Sequence, residues 1–189
     1  MAAFDVVDLR RGLATDVGRF AAATAQVEVM LRMAPAAPLA AAYDAFVVAL
    51  DALVAAPPAD VDATGLRGVW QLVAVLGFGP SLTDCVKDGT SLAADGPAAF
   101  SIAEGGVLCP RCARDVTETG AVTRLPAGDY RALLALHDAS AALPALDVPH
   151  AAAHRRLVAR FVRHHIGDRR PLAAMDFWER RAWATPVAS

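Results

Sequence analysis

Three cysteines and one aspartate form the feature of this sequence with the clearest chemistry. Cys85 and Asp88 are separated by two residues, and Cys109 and Cys112 repeat that spacing after a gap of twenty residues. Ligand pairs with this internal spacing form tight knuckles, and two knuckles can surround a tetrahedral zinc ion. We therefore predict one structural zinc ion held by Cys85, Asp88, Cys109 and Cys112.

The aspartate is the unusual member of this set. A carboxylate carries the same charge as a thiolate but forms a harder, weaker bond to zinc, so we expect weaker zinc retention and an unchanged architecture. Asp84, Asp115 or a distant histidine are alternative fourth ligands. A further alternative is a decayed site, with buried cysteines acting as small hydrophobic side chains. A catalytic zinc is disfavoured because no acid or base is fixed by spacing near the pairs.

The elements that position these residues are mostly helices. Alanine, the best helix former, accounts for 44 of the 189 residues. Apolar residues recur at spacings of three and four from Val6 onward, which predicts a helix that ends before Pro35 and buries one stripe. The stripe consists of Val6, Leu9, Leu13, Val17, Phe20, Ala23, Val27 and Leu31. Further helices are predicted at about 38–56, 62–76, 129–139, 149–166 and 171–184, with 62–76 at the centre of the core.

The middle of the chain is different. Strand-like segments at 98–103 and 105–109 predict a hairpin that leads into the second cysteine pair, and Gly89, Gly105 and Gly106 supply the backbone freedom that such turns need. We expect a mainly α-helical, bundle-like single domain over 1–189, with an inserted small zinc-ribbon-like β-hairpin module at 78–125.

Several functional classes are disfavoured by the sequence. The most apolar stretch, 38–56, carries Asp44 and Asp51 on one helical face, which argues against a membrane span. No export signal precedes the first helix, so we expect a cytoplasmic protein without disulfides. The histidines 154, 164 and 165 have no nucleophile placed beside them, and no glycine-rich phosphate loop is present. We expect no enzymatic activity.

The C-terminal region is basic although the net charge is −2. Residues 154–181 carry eight arginines against three acids, an excess of five positive charges. Arg156, Arg160 and Arg163 would form one helical stripe able to meet phosphates, or simply a solvated face in a chain with seventeen arginines and one lysine. The aromatic residues Phe177, Trp178 and Trp183 are expected in the core, with a partner-binding surface as the alternative.

Three segments together resemble the C-terminal part of RecO, the bacterial recombination mediator: LVAVLGFGPSLTDCVKDG, AAFSIAEGGVLCPRC and RHHIGDRRPLAAMDFWER. The shared pattern is a helix ending in Leu-Gly-Phe-x-Pro, a first ligand pair, a Phe-Ser strand, Gly-Gly-x-Leu-Cys-x-x-Cys and a late His-x-Gly. In that family both pairs are usually Cys-x-x-Cys, so Asp88 is a departure. Family members also begin with an OB-fold barrel, whereas this sequence begins at the helix that would follow it.

The resemblance implies a non-enzymatic role in recombinational repair by the RecF pathway, in association with the nucleoid. RecO-like proteins bind RecR and the C-terminal tail of single-strand-binding protein, anneal complementary strands and help RecA load. Arg156, Arg160, Arg163, Arg169 and Arg170 are the candidate contacts to nucleic acid or partner. Without a barrel we expect weak binding of single-stranded DNA and retained partner binding. The alternatives are a zinc-stapled scaffold without DNA activity and a metal hydrolase.

Overall fold

The computed structural model describes residues 8–116, 122–167, 170–181 and 183. In chain order its elements are α1 (Val17–Met33), α2 (Ala40–Ala55), α3 (Val61–Val73), β1 (Ala98–Ser101), β2 (Gly106–Leu108), α4 (Pro110–Arg114), β3 (Val122–Leu125), α5 (Ala127–His137), α6 (Val148–Ile166) and α7 (Ala173–Arg180). Most of the described residues are helical and the sheet is small, which confirms the predicted fold class. The boundaries 78–125 for the inserted module stay a prediction.

Helix α3 lies at the centre of the helical core, as expected. It packs against α1, α2, α5 and α6, and its Leu66 and Trp70 are completely buried. A wider helical turn, Ala74–Phe78, continues α3 and is interrupted at Gly77. Gly77 has φ +89°, a left-handed conformation that glycine adopts without strain.

Helix α1 differs from its prediction in both start and orientation. It begins at Val17, where the Asp16 carboxylate accepts a hydrogen bond from Arg19 N at 2.9 Å, and a short 3₁₀ turn (Arg11–Thr15) precedes it. The predicted first residue, Val6, lies outside the described residues. Most of the expected buried stripe was wrong: Leu9, Val17, Phe20, Val27 and Leu31 are exposed, whereas Ala23 is buried and Leu13 is half-buried.

Small residues explain the actual orientation of α1. The side chains that α1 buries are those of Ala21, Ala22, Ala23, Ala25, Gln26, Val29 and Met33, and α3 is one of the helices that cover them. The two helices approach closely, since a Cβ atom added at Gly65 would lie 2.9 Å from Cβ of Ala22. Alanine and glycine permit this contact because their side chains are small. The buried face of α1 is therefore densely packed.

The three strands form an antiparallel sheet in the order β2-β1-β3. The predicted hairpin β1–β2 is present, with Ala99 opposite Leu108, and β3 adds a strand that the sequence pattern did not reveal. One face of the sheet packs on the helical core through Ala98, Phe100, Val107 and Leu125. The other face packs on the cysteines through Ala99, Leu108 and Val122.

A buried ion pair connects α6 to α3. Arg155 is 1% exposed, and its Nη1 atom lies 2.7 Å from Oδ1 of Asp62. Arg181 approaches the other oxygen of Asp62 at 3.5 Å. These contacts fix α6 and the end of α7 against the central helix.

The most apolar helix, α2, spans residues 40–55 and is too short to cross a bilayer. Within the described parts of the chain no other helix combines sufficient length and apolar character to do so.

Candidate metal centre

The first knuckle is a tight turn that carries Cys85 and Asp88. Gly89 N donates to the Cys85 carbonyl oxygen at 2.8 Å, and Cys85 N donates to Thr90 O at 2.8 Å. Gly89 has φ +70°, the left-handed conformation that closes the turn. The turn therefore presents Cys85 Sγ and the Asp88 carboxylate on the same side.

The second knuckle is the start of α4. Cys109 occupies the N-cap position, where its Sγ accepts a hydrogen bond from Cys112 N at 3.4 Å. Pro110 follows as the first helical residue, a position that proline favours. This local geometry brings the sulfurs of Cys109 and Cys112 together.

Backbone pairing with β2 holds the two knuckles against each other. Ser81 O accepts a hydrogen bond from Val107 N at 2.9 Å, and Val86 N donates to Val107 O at 3.0 Å. Gly106 is required here, because a Cβ atom at that position would lie 2.3 Å from the Ser81 carbonyl oxygen. The segment that carries the first knuckle thus extends the sheet beyond β2.

The structure brings the four predicted ligand residues together. One donor atom from each of Cys85, Asp88, Cys109 and Cys112 lies within 4.8 Å of the others. Asp88 Oδ2 is 3.3 Å from the sulfurs of both Cys109 and Cys112. Ligand atoms around tetrahedral zinc, at about 2.3 Å for sulfur and 2.0 Å for oxygen, lie roughly 3.5–3.8 Å apart. The cluster therefore fits one zinc ion with all four positions filled by the protein.

The two oxygens of Asp88 have separate partners. Oδ1 accepts a hydrogen bond from Thr90 N at 3.0 Å, and Oδ2 faces the sulfurs and accepts from Arg111 Nη2 at 2.8 Å. The Asp88 side chain is 17% exposed although its backbone faces solvent. The hydrogen bond from Thr90 N and the Arg111 guanidinium hold the pKa of the Asp88 carboxyl well below its usual range. Asp88 is thus ionised, with Oδ2 oriented toward the sulfurs.

The surroundings of the cluster also shift the pKa values of two cysteine thiols. Burial, and then the nearby Asp88 carboxylate, raises the pKa of Cys112 to about 12. Burial also acts to raise the pKa of Cys85, but hydrogen bonds from the backbone N–H groups of Cys109, Lys87 and Asp88 outweigh it and lower that pKa. A bound cation would favour the thiolate forms and so lower the pKa values of the thiols that bind it.

The alternative acidic ligands have other roles. The Asp84 carboxylate accepts hydrogen bonds from Ser91 Oγ at 2.5 Å and Thr83 Oγ1 at 2.8 Å. Asp115 is exposed at the end of α4. Neither residue, and no histidine in the described ranges, joins the four-residue cluster.

Arg111 is a residue of this centre that our sequence analysis missed. It lies between the two cysteines of the second knuckle and contacts Asp88 across the cluster. Its position in the sequence could have identified it, because a residue between two ligands of one knuckle must lie close to the metal site. Lys87, between the ligands of the first knuckle, pairs with Glu104 in the hairpin turn at 3.1 Å.

The candidate arginines for nucleic acid or partner contact are not equivalent. Arg156 and Arg160 are exposed on α6, and Arg160 Nη1 also lies 3.4 Å from Thr123 Oγ1. Arg163 is turned toward α7, where its Nη2 contacts Asp176 at 2.6 Å and Glu179. Arg170 is exposed just before α7, and Arg169 lies outside the described residues.

The C-terminal aromatic residues contribute mainly to the core. Trp178 is buried, and the half-buried Phe177 and Trp183 have ring centroids 5.0 Å apart. These placements are those of packing residues. Of the histidines, His154 is buried beside Asp129, whereas His164 is exposed.

Comparison with known proteins points to one family. The family model described as recombination protein O C terminal matches residues 14–173. DNA repair protein RecO of Anaeromyxobacter sp. strain K is 35% identical over 182 residues, which cover 92% of this chain and 68% of that protein. DNA repair protein RecO of Gloeobacter violaceus is 31% identical over 170 residues, covering 89% of this chain and 63% of that protein. The extent of these matches shows that the chain belongs to the RecO family.

Proposed function

We propose that this chain is a DNA repair protein that acts as a recombination mediator. The observation that carries the proposal is the match of the RecO C-terminal family model across residues 14–173. The proposed activity is to anneal complementary strands and to promote RecA loading, together with RecR and the C-terminal tail of single-strand-binding protein. Its site of action would be the nucleoid in the cytoplasm.

In this proposal the metal centre is a structural staple. A zinc ion held by Cys85, Asp88, Cys109 and Cys112 would cross-link the two knuckles and would supply no reaction chemistry. Four protein ligands would fill all four tetrahedral positions of such an ion, whereas a catalytic zinc keeps one position open. This supports a protein that acts by binding rather than as an enzyme or a metal hydrolase.

The proposed contact to DNA or to an acidic partner is the exposed part of α6. Arg156 and Arg160 are four residues apart, so their guanidinium groups point to the same side of the helix and suit successive phosphates or carboxylates. Arg163, the third member of the predicted stripe, already shares its charge with Asp176 and Glu179. We therefore expect this chain alone to bind single-stranded DNA weakly and with strong salt dependence.

A fluorescence titration with labelled oligo-dT at two salt concentrations tests the DNA contact. We expect a dissociation constant of roughly micromolar or weaker at physiological salt, and weaker binding in Arg156→Glu and Arg160→Glu but not in Arg11→Glu, a charge reversal on a different exposed element. Nanomolar binding, or equal losses in all three variants, would contradict the assignment of this surface.

The mediator role is tested by strand annealing in the presence of RecR and single-strand-binding protein. We expect faster annealing of coated strands when the chain is added. A zinc-stapled scaffold is the second candidate, because the buried Arg155 and the paired Arg163 leave fewer cations for DNA than the sequence count suggests. Binding to RecR or to the tail peptide without any annealing would favour the scaffold.

A further inference from the structure

The cysteines of the metal centre cannot all be paired in disulfides. The sequence contains Cys85, Cys109 and Cys112 and no other cysteine, so oxidation within one chain gives one disulfide and leaves one thiol. Asp88, the fourth member of the cluster, has no sulfur to oxidise. The two knuckles therefore differ in their redox chemistry, because the second knuckle holds a cysteine pair and the first holds a single cysteine.

The cysteines of the second knuckle are the pair that can join with the least movement. Both lie in the first turn of α4, where Cys112 N donates a hydrogen bond to Cys109 Sγ at 3.4 Å. The sulfurs of the cluster lie within 4.8 Å of one another. A bridge between Cys109 and Cys112 thus requires side-chain rotation within one short turn, and Cys-x-x-Cys is the spacing of reversible redox pairs.

Cys85 is less able to take part in a bridge. Its knuckle is held to β2 by the hydrogen bond from Val86 N to Val107 O at 3.0 Å, and Cys85 N donates to Thr90 O at 2.8 Å. A bridge to Cys85 would have to draw two hydrogen-bonded segments together. Cys85 is also the least accessible of the three cysteines, with 2% exposure against 5% for Cys109 and 7% for Cys112. A small oxidant therefore reaches the second knuckle more readily.

A disulfide between Cys109 and Cys112 is incompatible with the metal centre. A sulfur in a disulfide is no longer the thiolate that binds a metal ion. Only Cys85 and Asp88 would remain, whereas a structural zinc site uses four protein ligands. We propose that Cys109 and Cys112 form a disulfide with hydrogen peroxide as the oxidant, and that this disulfide prevents metal binding.

The reaction balances with hydrogen peroxide as the only oxidant. The sulfur of one cysteine attacks a peroxide oxygen, so that an S–O bond forms, the O–O bond breaks and the departing hydroxide is protonated to water. The sulfur of the second cysteine then attacks the sulfenic acid; an S–S bond forms, the S–O bond breaks and a second water leaves. The two sulfurs lose two electrons in total, and the peroxide oxygens gain them. When the sulfurs begin as thiolates, two protons from solvent complete the waters.

The disulfide would affect the fold through the first knuckle. In the metal-bound form an ion connects Cys85 and Asp88 to α4, whereas in the oxidised form that connection is absent and the first knuckle keeps its backbone hydrogen bonds to β2. Cellular thiols in a reducing compartment would reverse the disulfide, as they do for other transient ones. The pair would thus respond reversibly to peroxide.

Treatment of the zinc-loaded full chain with hydrogen peroxide tests the proposal. A chromophoric chelator follows zinc release, while intact mass and peptide mapping after alkylation with iodoacetamide identify the disulfide. We expect a mass loss of about 2 Da before alkylation, the two hydrogens of one disulfide, with Cys85 alkylated and Cys109 joined to Cys112. Zinc release should match disulfide formation at about one ion per bond. Dithiothreitol followed by added zinc should restore the starting state.

The choice of pair is tested on the metal-free chain, so the answer does not depend on how much metal is bound. Cys85→Ser and Cys112→Ser are matched variants, because each keeps two cysteines. Cys85→Ser should form its disulfide at the wild-type rate. Cys112→Ser, whose two cysteines lie on different knuckles, should react about tenfold more slowly. Far-UV circular dichroism checks that the helices of each variant are intact.

Asp88→Cys gives the first knuckle a cysteine pair of its own. The metal-free variant should therefore lose about 4 Da on oxidation, the hydrogens of two disulfides, where the wild type loses about 2 Da. Because this variant contains all four cysteines of a regular site, it also checks the conclusion without removing a native cysteine. A loss of about 2 Da in both proteins would show that the knuckles do not close separately.

Four results would overturn the proposal. A bridge that contains Cys85 would keep the two knuckles connected instead of separating them. A chain that carries the Cys109–Cys112 disulfide and still holds its zinc would show that the two states are compatible. Zinc release with a gain of oxygen atoms and no disulfide would be irreversible damage to the thiols. No oxidation at peroxide concentrations that oxidise glutathione would show that burial protects the pair.

Discussion

Nη2 of Arg111 lies 2.8 Å from Oδ2 of Asp88, the carboxylate oxygen that also faces the sulfurs of Cys109 and Cys112. The arginine therefore does two things at the centre. It fixes which oxygen points at the cluster, and with a divalent cation bound it would offset part of the excess negative charge of three thiolates and a carboxylate. Groups that hydrogen-bond to metal ligands often affect metal affinity nearly as much as the ligands themselves.

Arg111→Ala should weaken zinc retention. We expect loss of zinc to a chromophoric chelator to be about tenfold easier than in wild type, the lower end of the range for such neighbours because Arg111 is largely exposed. Arg111→Lys should be intermediate, since it keeps the charge but not the planar donor group. Arg114→Ala, a truncation on the same helix, is the control. Equal behaviour of Arg111→Ala and Arg114→Ala would refute a role for Arg111.

Replacing Asp88 should strengthen or weaken zinc retention, depending on the residue that takes its place. Asp88→Cys adds a softer thiolate ligand and should hold zinc more tightly, while Asp88→Ala should lose zinc or release it more easily. The measurement is zinc per chain by elemental analysis after purification without chelator. Asp84→Ala is the control and should keep about one zinc ion. Full zinc retention in Asp88→Ala would mean that Asp88 is not a ligand.

Asp62→Ala should strongly destabilise the fold. It leaves Arg155 buried without its partner, and loss of one member of a buried ion pair costs about 3–5 kcal/mol. Asp51→Ala removes the partner of Arg10 in a solvent-exposed ion pair and should cost less than about 1 kcal/mol. Chemical denaturation gives both free energies of unfolding. Similar small losses in the two variants would show that Arg155 finds water or another acceptor.

Stability should fall as the pH falls below about 6.5, the ordinary pKa of histidine. Burial lowers the pKa of both His154 and His137. Below that pH the unfolded chain therefore binds protons that the buried histidines of the folded chain do not, and this proton binding stabilises the unfolded state. His150 acts in the opposite direction, because its hydrogen bond to Asp147 raises its pKa.

The check is the free energy of unfolding of wild type and His154→Gln at about pH 7.5, 6.5 and 5.5, values that bracket the ordinary pKa of histidine. The difference between the two proteins isolates the histidine from the protonation of the cysteines. His154→Gln should show a smaller loss of stability on acidification, and His150→Gln a larger one. An unchanged pH slope in His154→Gln would mean that His154 is already accessible to protons in the folded state.

Local features of the sequence were the ones that could be predicted. The spacing of Cys85, Asp88, Cys109 and Cys112 brings four donors together because each pair is set by its own turn, and helix positions follow from periodicity over many residues. Strand β3 escaped prediction, since four residues with Arg124 exposed carry little pattern. Its pairing depends on β1, more than twenty residues away.

The orientation of α1 and the roles of individual arginines could not be predicted either, because both depend on contacts between residues that are distant in the sequence. Apolar periodicity marks a face but does not tell whether the same chain covers it, and alanines such as Ala22 are recognised as core only once Gly65 is seen opposite. Arg155 and Arg163 look alike in the sequence. One is buried against Asp62, 93 positions away, and the other is half-buried against Asp176.

A single β-sheet lies between the cysteines and the helical core. Phe100 packs on the helical core from one side, and its neighbour Ala99 packs near the cysteines from the other. Metal occupancy and the melting of the helices are therefore thermodynamically linked, because an ion that binds only the folded chain adds about 2.7 kcal/mol of stability at a free concentration 100 times its dissociation constant. The melting temperature of the whole chain should consequently report how much zinc its surroundings supply.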